Sequence, residues 1–182
     1  MMIYAKTEDA AVNLRKQFEE HTVRKTYIAK LISNTFLKAE DAEAGAIKLP
    51  LSSDYDERPR QKVDFKQGKQ AHTDYKVIQT NTDGTTDILL YPLTGRTHQL
   101  RVHCAHTLGL ASPIAGDLLY GSYTANCFQE MPWECQSQHQ HQHQSRDISR
   151  LCLHALSITF IHPLTGTPQT FTSATLSFTS AT

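Results

Sequence analysis

The stretch Leu93-Thr94-Gly95-Arg96-Thr97-His98-Gln99-Leu100-Arg101-Val102-His103 decides how this sequence folds. An apolar run, residues 87–91, precedes it and ends at Pro92, which predicts a strand that stops in a turn. Thr97 is a residue type that caps helices, so we predict a helix from there to Leu108, ended by Gly109. Its buried face should hold the residues at four-residue steps: Leu100, Cys104 and Leu108.

Arg96 lies at the predicted corner between strand and helix. The N-terminus of a helix and a guanidinium group both favour an anionic partner, so the corner is a candidate anion site. Spacing alone leaves a second interpretation open, in which Arg96 and Arg101 are solvated arginines of a surface loop.

The charge of the chain is balanced overall but uneven along its length. The 182 residues carry 18 Lys+Arg and 18 Asp+Glu, so no bulk basic character marks a nucleic-acid partner. Residues 58–76, however, hold two acidic residues and six basic ones: Arg58, Arg60, Lys62, Lys66, Lys69 and Lys76. A local basic stripe of this kind suits a phosphate backbone, although a solvated loop has the same composition.

The cysteines and the apolar runs bear on the cell compartment. The four cysteines show no Cys-x-x-Cys spacing, and no apolar run is long enough for a membrane span or a signal peptide. We therefore expect a cytoplasmic protein with reduced thiols and no membrane association, in which Cys104 and Cys152 are small core residues.

The order of motifs resembles the RluA-type family of RNA pseudouridine synthases, which isomerise uridine in ribosomal and transfer RNA. The central stretch resembles the third motif of the family, and the match runs from about Ile3 to about Thr172. The other matching segments, in chain order, are Arg24–Ala29, Arg58–Val63 with Gly68-Lys69 and Thr73, Pro113–Asp117 with Tyr120-Gly121, and Leu151–Ala155.

The resemblance implies an RNA substrate, ribosomal or transfer, and a set of site residues. Tyr27 corresponds to the tyrosine that packs on the target base, and Arg96 to the arginine that orients the catalytic carboxylate. The reaction that the resemblance implies oxidises nothing and loses no group, so we expect no cofactor. It further implies a substrate pocket with Leu100, Arg101 and His98, and RNA contacts from Lys25, Arg58, Arg60, Lys62 and Lys69.

One family feature is not found in the sequence. The resemblance places the nucleophilic aspartate in a segment like His-Arg-Leu-Asp, just before a strand that corresponds to residues 2–7, and the 182 residues contain no such segment. We therefore expect a truncated member of the family that is inactive by itself. Asp117 is the nearest alternative carboxylate, but in the family that position ties down a loop, so we do not expect it to substitute.

The pattern of the whole chain predicts one α+β domain, residues 1–182, with an antiparallel or mixed sheet. We expect a helix capped by Thr7 that ends near residue 20 and buries Ala11, Leu14 and Phe18. A central strand should cover residues 22–33, and Asn81-Thr82-Asp83-Gly84 should form a hairpin turn. The other predicted strands are residues 2–5, 47–51, 70–79, 85–91, 151–162 and 169–173.

Other functions stay open at this stage. The chain could be an RNA-binding module without catalysis, or a hydrolase built on Cys152 and His154, for which no orienting acid is evident. Residues 136–144 form a low-complexity Gln/His loop that lacks the carboxylate or cysteine of a typical metal site, so we predict no metal. The sequence does not define an oligomeric state, and a monomer is the expectation.

Overall fold

A computed structural model describes residues 1–33, 43–121 and 150–174. The Gln/His loop and most of the acidic turn predicted at residues 39–44 lie outside the described residues. The described elements, in chain order, are α1 Glu8–Glu19, β1 Arg24–Leu31, β2 Ala44–Ile47, β3 Leu51–Ser53, β4 Gln61–Val63, β5 Thr73–Thr80, β6 Thr86–Pro92, α2 Gln99–Ala105, β7 Leu153–Ile161 and β8 Pro168–Thr172.

The described strands form a six-stranded sheet and a separate two-stranded ribbon. The sheet has the order β2-β5-β6-β1-β7-β8, and β3 pairs with β4 in the ribbon. Every pairing is antiparallel, as the α+β prediction allows. Strand β1 lies inside the sheet between β6 and β7, which confirms its predicted central place.

Local sequence signals account for the β5–β6 hairpin. Gly84 takes a positive φ of 80°, which the turn requires and glycine adopts without strain. The Asp83 carboxylate accepts a hydrogen bond from the Thr85 backbone N–H at 3.0 Å, and the Asn81 N–H donates to the Thr85 carbonyl at 2.8 Å. The alternation of apolar residues along β6 then buries Ile88 and Leu90 completely.

Helix α1 begins as predicted but buries a different face. Thr7 accepts a hydrogen bond from the Ala10 N–H, and Leu14 is buried, but Ala11 is exposed and Phe18 is 42% exposed. Gln17 is buried instead, because its amide donates to the Ile161 carbonyl at 2.7 Å and accepts from the Ile161 N–H at 2.9 Å. This pair of bonds docks α1 on the end of β7.

The prediction for α2 was wrong at both ends. The helix begins at Gln99 after His98, whose φ is +52° and whose side chain makes no capping hydrogen bond, so Thr97 is not the cap. It ends at Ala105, and Leu108 is 64% exposed. The chain turns back at Gly109, where a Cβ atom would lie 2.0 Å from the His103 carbonyl oxygen, so only glycine fits there.

Two other predicted segments also differ from the structure. Residues 2–5 form no strand, although Ile3 packs against the cluster of Leu14, Val23, Ile158 and Phe160. The predicted strand over residues 47–51 is divided between the end of β2 and the start of β3.

The main core lies between the sheet and the segment that contains α2. Cys104 and Cys152 are buried there, as predicted, beside Ile88, Leu90 and Leu100. Neither described helix combines the length and the apolar composition needed to cross a bilayer.

Candidate active site

The predicted catalytic and pocket residues line one cleft of about 280 Å³, which we call the central cleft. It lies where β1 meets the 92–99 corner and the start of α2. The structure brings together six residues that the sequence analysis assigned to the site: Lys25, Tyr27, Arg96, His98, Leu100 and Arg101.

Tyr27 projects from the middle of the sheet. It pairs with Leu90 on β6 and with Ala155 on β7, and the register of the β1–β7 pairing shifts between Thr26 and Tyr27. Such bulges often re-aim side chains beside functional sites. Burial raises the pKa of the Tyr27 hydroxyl, so the side chain is a neutral aromatic surface at physiological pH.

Arg96 is exposed but held at two points. Its backbone N–H donates to the Gln99 side-chain carbonyl at 3.0 Å, and its Nε donates to the Gln70 backbone carbonyl at 3.1 Å. Within the described residues, no carboxylate forms an ion pair with Arg96. The guanidinium is thus held through Nε and makes no ion pair with a described carboxylate, so its Nη atoms suit a bidentate anionic partner.

Lys25 adds a second positive charge to the central cleft. It precedes Tyr27 by two residues on β1, and a Cβ built on Gly95 would lie 3.8 Å from its Nζ atom. Burial lowers the pKa of the Lys25 ammonium, and the described part of the chain gives it no ion-pair partner. An anion in this cleft would meet both cations.

Arg101 is engaged in an ion pair with Asp117 and is therefore not a free cation. Its guanidinium makes two hydrogen bonds to the Asp117 carboxylate, at 2.7 and 2.6 Å, and lies 5.0 Å above the Tyr120 ring. Asp117 also accepts from the N–H groups of Leu119 and Tyr120. Burial alone would raise the pKa of the Asp117 carboxyl, but the hydrogen bonds from Arg101 and from these N–H groups outweigh it and leave that pKa below its ordinary value.

Arg101, Asp117 and Tyr120 form a cluster that extends to His98 through the Tyr120 hydroxyl. The Tyr120 hydroxyl accepts from the Gln61 N–H at 2.8 Å and lies 2.9 Å from the His98 Nδ1. Burial and the nearby Arg101 charge lower the pKa of His98, so its imidazole is neutral at pH 7. The cluster thus joins β4, the start of α2 and the 117–120 turn on one side of the cleft.

A second cleft, of about 550 Å³, adjoins the first and also includes Arg96; we call it the polar cleft. Lys62 and Lys69 line it together with Gln61 and Gln67. Lys62 pairs with Asp54 at 3.5 Å, whereas Lys69 is exposed and makes no ion pair with any described residue.

The two predicted RNA-binding arginines lie in the loop beside the polar cleft. Arg60 forms an ion pair with Glu57, and the guanidinium of Arg58 lies 5.2 Å from the centre of the Tyr55 ring. The five predicted RNA contacts therefore fall into two kinds. Arg60 and Lys62 are paired with local carboxylates, while Lys25, Arg58 and Lys69 have no such partner in the described ranges.

The hydrolase interpretation finds little support in the geometry. Burial raises the pKa of the Cys152 thiol, which opposes the thiolate that a nucleophile needs. His154 contacts the Ser173 hydroxyl. In the described residues, no group of three His, Cys, Asp or Glu side chains is arranged to hold a metal ion.

Gln99 is the site residue that sequence reasoning missed. Its side chain is 4% exposed and contacts the Arg96 backbone and the Thr94 hydroxyl. The only signal in the sequence was its place inside the central stretch, directly before Leu100.

Comparison with known proteins identifies the family. The model of the family described as RNA pseudouridylate synthase matches residues 1–106. The dual-specificity RNA pseudouridine synthase RluA of Yersinia pestis is 38% identical over 171 residues, which cover 94% of this chain and 70% of that protein. The chain belongs to the RNA pseudouridylate synthase family.

Other members of the RNA pseudouridylate synthase family agree with this assignment. The dual-specificity RNA pseudouridine synthase RluA of Escherichia coli K12 is 36% identical to this chain, which spans 66% of the length of that protein. Human RNA pseudouridylate synthase domain containing 1 superposes with a TM-score of 0.65 at 26% identity, over 94% of this chain and 62% of that one. The fold prediction is thereby confirmed, and the chain spans about two thirds of the length of its relatives.

Proposed function

We propose that the central cleft is the uridine site of an RNA pseudouridine synthase. The observation that carries the proposal is that Tyr27 and Arg96 line the same cleft in a chain of this family. We further propose that the substrate is ribosomal or transfer RNA in the cytoplasm and that the protein acts as a monomer.

The reaction rearranges bonds without a net change in atoms. The bond from N1 of uracil to C1′ of the ribose breaks, and a bond from C5 to the same carbon forms. The proton on C5 leaves, and N1 gains a proton. Nothing is oxidised or reduced, so the proposal requires no cofactor.

Each cleft residue has a role in this proposal. The target uridine must leave its stack, which costs a few kcal/mol, and stacking on the Tyr27 ring offsets part of that cost. The Nη atoms of Arg96 would orient the catalytic carboxylate by a charge-assisted bidentate contact. Leu100 forms an apolar wall of the pocket, and the neutral His98 lies beside it.

The polar cleft and its neighbouring loop are proposed to hold the RNA backbone. Lys69 and Arg58 supply charge that no described carboxylate neutralises, so phosphates can compete for them at little cost. Lys25 would meet the phosphate or carboxylate nearest the base. Arg60 and Lys62 would contribute less, since each already pairs with a carboxylate.

The experiment that tests the proposal measures tritium release from RNA that carries [5-³H]uridine. Forming the bond at C5 expels that hydrogen to water, so release reports the isomerisation itself. We expect release by the protein produced from its own gene, and a large loss in Arg96→Lys, because a lysine cannot reproduce the planar fork. RNA bound by the protein without any release would contradict the enzymatic proposal.

The second candidate is an RNA-binding relative without catalysis. The observation that favours it is that Lys25, Arg58 and Lys69 make no ion pair with any described carboxylate, so they can bind RNA whether or not a reaction follows. The two candidates separate in one experiment, because both bind RNA and only the synthase releases tritium.

A further inference from the structure

The side-chain carbonyl of Gln99 holds the corner that carries Arg96. The Gln99 Oε1 accepts from the Arg96 backbone N–H at 3.0 Å and from the Thr94 hydroxyl at 2.7 Å. Both donors belong to the turn between β6 and α2, so one buried oxygen fixes the turn on either side of Gly95.

The amide nitrogen of Gln99 connects the corner to β5. Its Nε2 donates to the His72 carbonyl at 3.0 Å and to the Thr73 hydroxyl at 2.9 Å. The two acceptor and two donor contacts use the full capacity of a side-chain amide. The amide is therefore locked in one orientation.

The donor and acceptor of each hydrogen bond around Gln99 follow from a chain of contacts that begins at the Leu49 carbonyl. The Leu49 carbonyl can only accept, so His103 must donate to it from Nε2, at 3.1 Å. His103 Nδ1 is then the acceptor for the Thr73 hydroxyl, at 3.0 Å, which leaves the Thr73 oxygen to accept from Gln99. Thr73 and His103 are both completely buried, so water does not compete for these bonds.

We propose that Gln99 is a positioning residue, which fixes the backbone of Arg96 so that its guanidinium presents the Nη atoms to the central cleft. The proposal rests on the proposed function, since it concerns the orientation of the carboxylate-binding arginine. An ordinary helix cap would satisfy the first N–H groups of α2, but Gln99 instead reaches back three residues to the corner. The second restraint on Arg96, its Nε contact to Gln70, comes from the segment just before His72, which Gln99 also holds.

The test compares Gln99→Met with the unmodified protein produced from its own gene. Methionine has a similar length and no hydrogen-bonding amide, so it frees the Arg96 N–H. We expect amide hydrogen exchange at Arg96 to accelerate at least tenfold while exchange at Ile88 in β6 stays the same. In the tritium-release assay we expect kcat to fall about 10- to 100-fold with KM for RNA within threefold, since a misplaced catalytic group costs rate rather than binding.

A second pair of variants guards against simple misfolding. Thr73→Val removes the hydroxyl that links Gln99 to His103 and keeps the shape, whereas Thr73→Ser keeps the hydroxyl. We expect the valine variant to reproduce part of the kcat loss and the serine variant to restore it. A role limited to stability would lower the unfolding midpoint in both without changing kcat of the folded protein.

Several outcomes would overturn the proposal. Unchanged exchange at Arg96 in Gln99→Met would show that Gln99 does not hold it, and faster exchange with unchanged kcat would show that holding it does not matter for the reaction. An unmodified protein that releases no tritium would instead overturn the proposed function, and that result is recognised before any variant is measured.

Discussion

Arg101 and Asp117 form a two-pronged ion pair with N–O distances of 2.7 and 2.6 Å, and the Asp117 side chain is fully shielded from solvent. The pair joins α2 to the turn that holds Tyr120, and it lies beside the central cleft without using up Arg96. The ion pair therefore stabilises the side of the central cleft that α2 and the 117–120 turn form.

The first prediction concerns the strength of this support. Asp117→Asn should lower the free energy of unfolding by about 2–3 kcal/mol, because removing one member of a buried pair leaves an uncompensated charge. Urea denaturation measures the change. The control is Glu19→Gln, which removes a carboxylate from the Arg15–Glu19 pair, 70% exposed on both sides, and should cost less than about 0.5 kcal/mol. Equal losses in the two variants would contradict the assignment.

The second prediction concerns pH. Burial lowers the pKa of His103 to about 4, against an unfolded value near 6.5, so the unfolded chain binds a proton first as the pH falls. Stability is therefore full above pH 6.5 and declines toward pH 4, by about 2 kcal/mol between pH 7 and pH 5. Urea denaturation across that range measures the decline.

His103→Gln is the control for this pH dependence. The variant cannot gain the proton, so its stability should fall less steeply over the same range, whatever its absolute value. His98 and His106, whose pKa values are also lowered by burial, leave part of the slope in place. Asp117 does not interfere, because its carboxyl loses its stabilising effect only below its ordinary pKa of 3.8. Identical slopes in the two proteins would contradict the prediction.

The third prediction concerns Tyr27 as a stacking surface. Tyr27→Leu should weaken binding of a uridine-containing RNA about tenfold, since a base stacked on an aromatic ring contributes about 1–3 kcal/mol. Tyr27→Phe keeps the ring and should bind within about twofold of the unmodified chain. Fluorescence anisotropy with labelled RNA gives both affinities, and an equal loss in the two variants would rule out stacking.

The fourth prediction concerns the free and paired cations of the polar cleft. Lys69→Gln should weaken RNA binding and reduce the slope of log Kd against log salt by about one, as expected for one lost phosphate contact. Lys62→Gln should change the slope less, because Asp54 already neutralises part of that charge. Lys16→Gln, on the surface of α1, is the control and should change neither quantity. Equal slopes for Lys69→Gln and Lys16→Gln would show that Lys69 does not contact an RNA phosphate.

Patterns within a few residues predicted much of the fold. The Thr7 cap, the turn at Gly84 and the apolar β1 strand were correct because each depends on neighbours in sequence. The errors depend on distant partners. Gln17 is buried because of Ile161, 144 residues away, and α2 is short because the backbone near Gly109 packs against His103.

The candidate site was likewise predicted where it depends on neighbours in sequence and missed where it depends on distant partners. Order and spacing in the central stretch suggested Arg96, and resemblance added Tyr27; both line one cleft. The role of Gln99 could not be read from the sequence, because its Nε2 binds residues 26 and 27 positions away. Spacing likewise left open whether Arg101 is a solvated arginine of a surface loop, and its ion pair with Asp117, 16 residues away, is visible only in the structure.

Arg96 lines both the central cleft and the polar cleft, so the two sites share one guanidinium. Under the proposed function, a phosphate that bound the Nη atoms from the polar cleft would withdraw them from the catalytic carboxylate. Contributions measured separately in the two clefts would then not be additive, and tighter RNA binding at Arg96 would slow the reaction. RNA affinity and reaction rate would depend on the same side chain in opposite directions.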